Sequence, residues 1–224
     1  MKTHPTAADR RKLILVLDDH PMTRHGLAQL INREPDLMVC GEAEVVPKAL
    51  EAIPLLRPDL VLADITLPGK SGLEFIKDMK VLHPSVAVLV ISMHDESIYA
   101  ERVLRAGGRG YVMKSEGGVK VLEAVRRVLQ GEVYLSPAMA TALLGALGQT
   151  RSKNADRMLT SLTDREFEVF QLIGQGMPTN EISRRLNLSI KTVGTHRVHI
   201  KEKLNLKTGT ELIKHAVRWT ASEG

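Results

Sequence analysis

The chain has a single cysteine, Cys40, in 224 residues. That excludes a disulfide framework and a zinc site built from several cysteines, and it fits a reducing compartment. Cys40 falls within LMVCGEA, which reads as a buried strand, so a core role outweighs a reactive one. No apolar stretch approaches the roughly 20 residues that a membrane span needs. The opening residues, MKTHPTAADRRK, precede only five apolar residues before an acidic pair. That is too short and wrongly flanked for a signal peptide. Internal repeats and low-complexity tracts are also lacking. These absences predict a soluble cytoplasmic protein with no membrane partner.

Charge is present but unevenly placed. The net charge is +5, and residues 151–224 hold 13 Lys and Arg against 8 Asp and Glu. The other 150 residues hold 18 of each sign, so the whole excess belongs to the C-terminal third. A neutral part beside a basic part points to a polyanion partner for the second alone. An ordinary solvated basic surface is the competing explanation.

Four short apolar runs in the neutral part each end in a group with chemistry to offer. LILVL runs into Asp18 and Asp19, LVLA into Asp64, VAVLVI into Ser92, and GYVM into Lys114. Continuous apolar runs of this length suit strands buried on both faces, as in a parallel sheet covered by helices. Amphipathic stretches alternate with them at Thr23–Asn32, Pro47–Leu55, Leu73–Leu82, Ile98–Ala106 and Gly118–Leu129. Five such βα alternations predict a doubly wound, five-stranded parallel sheet, with ligands at the carboxyl ends of the strands. Three carboxylates, a hydroxyl and an ammonium should therefore meet at one edge.

Like charges crowded in this way are unfavourable unless a cation neutralises them. Oxygen ligands with room for water and a phosphate oxygen suit Mg²⁺. Asp64, at the head of the middle strand, is best placed to act as a nucleophile and accept a phosphoryl group. Transfer then needs mainly positioning and charge neutralisation, which Lys114 and a cation supply, while Ser92 bonds a phosphate oxygen.

Residues 148–158, GQTRSKNADRM, are polar and aperiodic and read as a linker. The helical stretch Pro137–Leu147 before them belongs to either side. Beyond the linker the pattern is helical throughout. Thr163 and Glu166 have capping-box spacing and open a helix to about Ile173. Thr179 is placed to cap a short helix, Ser189 a longer one, and Thr210 opens a last helix to about Trp219. Two helices joined by the tight Asn187-Leu188 turn, the second one basic, fit a helix-turn-helix.

LDDHP, ADITLPGKSGLE, ISMHD and AGGRGYVMKSE closely resemble the receiver domain of bacterial response regulators, over about residues 12–131. The resemblance implies a flavodoxin-like fold with Asp64 as phosphoacceptor and Mg²⁺ held by Asp18, Asp19, Asp64 and the backbone carbonyl of Thr66. Ser92 matches the switch hydroxyl, Tyr111 the switch aromatic and Lys114 the phosphate-binding lysine. Tyr111 also reads simply as a strand residue with a half-buried ring.

LTDREFEVFQLIGQGMPTNEISRRLNLSIKTVGTHRVHIKEKLNL resembles the LuxR-type helix-turn-helix. With the receiver, the chain resembles the NarL/FixJ class. That implies a receiver at 12–131, a linker with a helix at 132–158, and a four-helix DNA-binding domain at 159–222. It also implies a sensor histidine kinase and double-stranded DNA as partners, homodimerisation on phosphorylation, a last helix that supports dimerisation on DNA, and RNA polymerase as a further candidate partner. The expected role is transcription control rather than catalysis. Two rivals are a phosphatase with an aspartyl nucleophile and a DNA-binding protein controlled by a partner. The basic helical tail and the lack of a general acid after Asp64 weigh against the first. The complete acidic pocket weighs against the second.

In the third helix of that domain, about Ile190–Leu204, Val193, Ile200 and Leu204 share an inward stripe at about 100° per residue. Lys191, Thr195, Val198 and Glu202 point the opposite way, with Gly194 on their flank, and should meet base edges. Thr192, Arg197, Lys201 and Lys203 are better placed for phosphates, which position without reading sequence. His196 packs or touches a phosphate. His196 and His199 lack a Cys or carboxylate partner at metal spacing. Trp219 is either a core plug or a dimer contact. Many members of the class carry a lysine or another long polar residue where this chain has Gly194. Glycine costs about 1 kcal/mol against alanine inside a helix and offers a base nothing, so no target sequence carries over.

The charge split generates a first prediction. A fragment of residues 159–224 should bind duplex DNA with affinity that falls steeply as salt rises, because each neutralised phosphate releases counterions. A receiver-only fragment should not bind in the same titration. Comparable binding by both would refute the division of labour.

Overall fold

The computed structural model describes residues 11–148, 159 and 161–222. The chain divides into two compact units, between Ala140 and Thr141. The first alternates strand and helix: β1 (Lys12–Leu17), α1 (Pro21–Asn32), β2 (Leu37–Ala43), α2 (Val46–Leu56), β3 (Leu60–Ala63), α3 (Gly72–Leu82), β4 (Ala87–Ser92), α4 (Glu96–Ala106), β5 (Gly110–Met113) and α5 (Gly118–Leu129). All strand pairs are parallel, in the order β2-β1-β3-β4-β5. Every residue of β3 is buried, and so are all but the first of β1. That is why these strands read as unbroken apolar runs.

Side chains of successive strand residues point to opposite faces. Ile14, Val16, Leu62, Leu89 and Val112 pack on one face with Leu27 and Ile31 of α1 and Val121, Val125 and Val128 of α5. Tyr134 joins that cluster from beyond α5, and the segment is held to the edge of β5 by its backbone. Tyr134 N–H donates to Arg109 O, and Tyr111 N–H donates to Tyr134 O, both at 3.0 Å. A following helix, α6 (Pro137–Gly148), is capped by Ser136, whose hydroxyl accepts from Met139 N–H.

Strand order reverses between β1 and β3, so chain leaves their carboxyl ends in opposite directions and opens a crevice there. The β1 and β3 loops carry Asp18, Asp19 and Asp64 to it. α3 returns close against the end of β3. A Cβ on Gly72 would lie 2.5 Å from Asp64 O and 2.6 Å from Ile65 Cα. Ser71 and Glu74 form a capping box that starts α3 at that contact.

The second unit is helical: α7 (Asp164–Gly174), α8 (Thr179–Arg185), α9 (Ile190–Lys203) and α10 (Gly209–Ser222). Thr163 and Glu166 form the expected capping box, and the Ser189 hydroxyl accepts from Thr192 N–H. Two expected helix starts are corrected. Pro178 occupies the cap position of α8, and Thr179 is its first helical residue. α10 starts before Thr210, with the Thr208 hydroxyl accepting from Glu211 N–H. Asn187, at φ 51°, makes the tight turn between α8 and α9. Phe167, Phe170, Ile182, Val193, Ile200, Leu204 and Leu212 fill the core. Trp219 packs its ring on Phe167 and Phe170, with centroids 5.5 and 5.6 Å apart, so it is a packing residue of α10.

The contact of Gly72 with the β3 terminus involves backbone atoms that cannot rotate aside. Gly72→Ala should therefore destabilise the first unit by about 1–3 kcal/mol, the usual cost of overpacking. Urea unfolding followed in that unit measures it. Unchanged stability would show that α3 is free to shift away from Asp64.

Candidate functional site

Asp18 and Asp64 arrive from adjacent strands with little freedom. Asp18 is fully buried, and its Oδ1 accepts from His20 N–H at 2.8 Å. Asp64 is 4% exposed, and its Oδ1 accepts from Thr66 N–H at 3.2 Å. From the end of β5, Lys114 reaches over both. Its Nζ donates to Asp18 Oδ2 at 2.7 Å and to Asp64 Oδ2 at 2.6 Å. One ammonium thus bridges two buried carboxylates that lie 46 residues apart in sequence.

The electrostatics are those of a crowded, poorly solvated site. Burial pushes the Asp64 carboxyl above the ordinary carboxylate range, and the Asp18 charge adds to this. Lys114 opposes the rise without cancelling it. For Lys114 itself, burial works against the ammonium, but Asp64 and Asp18 outweigh burial and hold the proton more tightly than usual.

Asp19 completes the acidic group. Its Oδ1 is buried and lacks a hydrogen bond. His20 Nδ1 lies 2.8 Å away, but without the alignment a hydrogen bond requires. Ligand atoms of Asp18, Asp19, His20 and Asp64 all fall within 4.8 Å of one another. An unsatisfied buried carboxylate oxygen beside two more carboxylates fits a small, hard divalent cation such as Mg²⁺.

A second group is built from the last residue of β4, the loop after it and β5. Ser92 is buried, and its Oγ accepts from His94 N–H at 3.3 Å. Tyr111 is wholly buried rather than half-buried, and its hydroxyl donates to His94 O at 2.8 Å. Burial holds that phenol well above its usual pKa. The His94 ring lies tilted against Tyr99, centroids 5.3 Å apart, and has Nε2 2.9 Å from Thr66 Oγ1, so it links the β3 and β4 loops. His20 and His94 were not singled out from the sequence. Their only signal was adjacency to Asp19 and closeness to Ser92.

In the second unit, the stripe of α9 follows helical periodicity. Val193 and Ile200 are fully buried and Leu204 nearly so. Lys191, Thr195, Val198 and Glu202 are exposed, and nothing lies within 4 Å of a Cβ built on Gly194. The cations divide. Lys191 is exposed and Lys201 partly so. Arg197 Nη1 donates to Thr179 Oγ1 at 3.3 Å, and Lys203 Nζ donates to the buried Glu166 at 2.6 Å. Both of those side chains are thus tied within their own unit. Thr192 Oγ1 lies 2.7 Å from Ser189 Oγ at the helix start. His196 is half-buried, and burial lowers its pKa.

Residues 14–126 match the response regulator receiver domain family, and residues 160–216 match the bacterial regulatory proteins of the LuxR family. The nitrate/nitrite response regulator protein NarL of Escherichia coli is 36% identical over 200 residues, 88% of this chain and 91% of that protein. The oxygen regulatory protein NreC of Staphylococcus carnosus is 32% identical over 209 residues, 92% of this chain and 96% of that protein. Among solved structures, RcsB from Salmonella enterica serovar Typhimurium bound to promoter rprA shares the fold. Its TM-score is 0.65 at 23% identity, covering 93% of this chain and 99% of that one.

Because the folded protein binds the Asp64 proton more tightly than the unfolded chain, this residue costs stability at neutral pH. The cost fades as pH falls through the folded-state pKa towards the ordinary carboxylate value. Asp64→Asn, which leaves Lys114 paired with Asp18 and removes a like charge from beside it, should raise stability at pH 7 with divalent cations chelated. The gain over the parent should shrink on acidification. Thermal unfolding at pH 7 and pH 4 checks both, and a destabilised variant at pH 7 would refute the account.

Proposed function

The chain belongs to the two-component response regulators that join a receiver domain to a LuxR-type DNA-binding domain, and from that premise we propose that a sensor histidine kinase phosphorylates it on Asp64 to control promoter binding. The observation that carries this reading is the Lys114 ammonium shared between Asp64 and Asp18 in a nearly closed pocket. An ion pair serving stability alone would not need a second carboxylate on the same ammonium or a third beside it.

The Asp64 carboxylate is the nucleophile. One of its oxygens bonds to phosphorus, the P–N bond to the kinase histidine breaks, and that electron pair stays on the imidazole nitrogen. Mg²⁺ held by Asp18, Asp19, Asp64 and the Thr66 carbonyl would offset the charge of the phosphoryl oxygens. Lys114 already points at the reacting carboxylate, and its hydrogen bond to Asp64 is free to pass to a phosphoryl oxygen. Charge-assisted bonds of this kind are among the stronger ones in proteins.

Ser92 supplies the next link. Its Oγ accepts from His94 N–H and its side chain is in hydrogen-bonding contact with the Tyr111 hydroxyl, so turning its proton to a phosphoryl oxygen alters both contacts. Drawing Ser92 towards the phosphoryl group moves the Met93–Asp95 loop, to which Tyr111 is bonded through His94 O. Asp95 caps α4, so the loop carries α4 with it. Phosphorylation then biases states that exist beforehand. In the phosphorylated state the chain dimerises and places α9 in the major groove of promoter DNA, where it acts on RNA polymerase access.

Incubation with a small phosphodonor and Mg²⁺ should add one phosphoryl group, acid-stable and base-labile, read by intact mass. Asp64→Asn should remove it. Replacing Asp18 and Asp19 together with Asn should slow it sharply while the fold survives. Equal uptake by Asp64→Asn and the parent would refute the assignment.

A further inference from the structure

We propose that the reading face of α9 selects thymine methyl groups, so that the chain's target is an A·T-rich half-site in which guanine carries little of the recognition. This rests on the DNA-binding reading above and adds to it the class of base that is read.

Lys191, Thr195, Val198 and Glu202 form the exposed stripe opposite the buried Val193 and Ile200. Base edges are met mainly by the N-terminal residues of a recognition helix, and Glu202 stands in the last turn. The two central positions are Thr195 and Val198. The Thr195 hydroxyl donates to Lys191 O at 3.1 Å, so its one proton is committed within the helix. What it has left to offer a base is a methyl group and an acceptor. Val198 is 46% exposed and offers only methyl groups.

Beside them, Gly194 offers no side chain, and the space around it is open to 4 Å. The backbone there can approach base edges more closely than any other residue type would permit. Recognition of guanine takes a long donor aimed at O6 and N7, commonly Arg or Lys. Of the four residues in the stripe, only Lys191 is cationic. Of the other long cations of α9, Arg197 and Lys203 donate to Thr179 and Glu166 inside the unit, and Lys201, partly exposed, stands in the last turn on the flank of the stripe. A central face of methyl groups with no donor matches the one base edge that is itself apolar, the 5-methyl of thymine.

Uracil differs from thymine only by that methyl and pairs in the same way, which isolates the contact. The full chain, treated with a small phosphodonor and Mg²⁺, is taken through selection from a random duplex pool. The selected site is then remade with deoxyuridine at each thymine in turn. We expect an A·T-rich site and roughly fourfold weaker binding for each uracil facing Thr195 or Val198, the value of one buried methyl group. Val198→Ala should lessen the uracil penalty at its own position. Gly194→Lys should tighten binding to all duplexes and shift selection towards guanine. A guanine-dominated site, or uracil without effect at every position, overturns the thymine reading and leaves DNA binding standing. Recovery of no duplex above background overturns DNA binding itself, and this inference with it.

Discussion

The ammonium of Lys114, held between the carboxylates of Asp18 and Asp64, is the interaction on which the first unit turns. Two buried carboxylates on neighbouring strands would repel strongly in a poorly solvated pocket. One cation arriving from β5 makes their approach tolerable and ties the ends of β1, β3 and β5 together. The arrangement is stable without being satisfied. The Asp64 proton is held above the ordinary carboxylate range, and Asp19 keeps a buried oxygen without a hydrogen bond. A site with unsatisfied negative charge is one that a divalent cation can complete.

The same physical logic serves a different end in the second unit. Glu166 is buried at the first turn of α7, accepts from Thr163 N–H in the capping box, and receives Lys203 from the far end of α9. Burial alone would raise its pKa, but those hydrogen bonds outweigh burial and lower it. A carboxylate with its partners in place makes a joint, whereas a carboxylate left short of partners makes a reactive site.

The strands and most helices were legible for identifiable reasons. β1, β3 and β4 are covered on both faces, so burial leaves an unbroken apolar signature. The caps at Thr163 and Ser189 were legible because each has a side-chain acceptor spaced for the first-turn amides. Thr179 and Thr210 misled because a capping residue type recurs one or two positions inside the helix. There the backbone angles of Pro178 and the hydroxyl of Thr208 decide where each helix begins. The five chemical groups of the pocket were legible because they sit at the carboxyl ends of four apolar strands. His94 was not, because its link to Thr66 depends on how two loops lie across the sheet.

What the sequence determined by itself was the order of elements, the neutral and basic division of the chain, and the convergence of Asp18, Asp64, Ser92 and Lys114 at one edge. Burial and strand polarity are local and repetitive, and they leave their mark on every residue of a run. What the tertiary structure decided was which partner each charge takes. Arg197 and Lys203 read from periodicity as cations for phosphate, yet packing brings Thr179 and Glu166 within their reach. Lys114 could have paired with either carboxylate and bridges both. A long side chain sweeps several ångströms around its Cα, and only the placement of neighbouring elements selects the acceptor it meets.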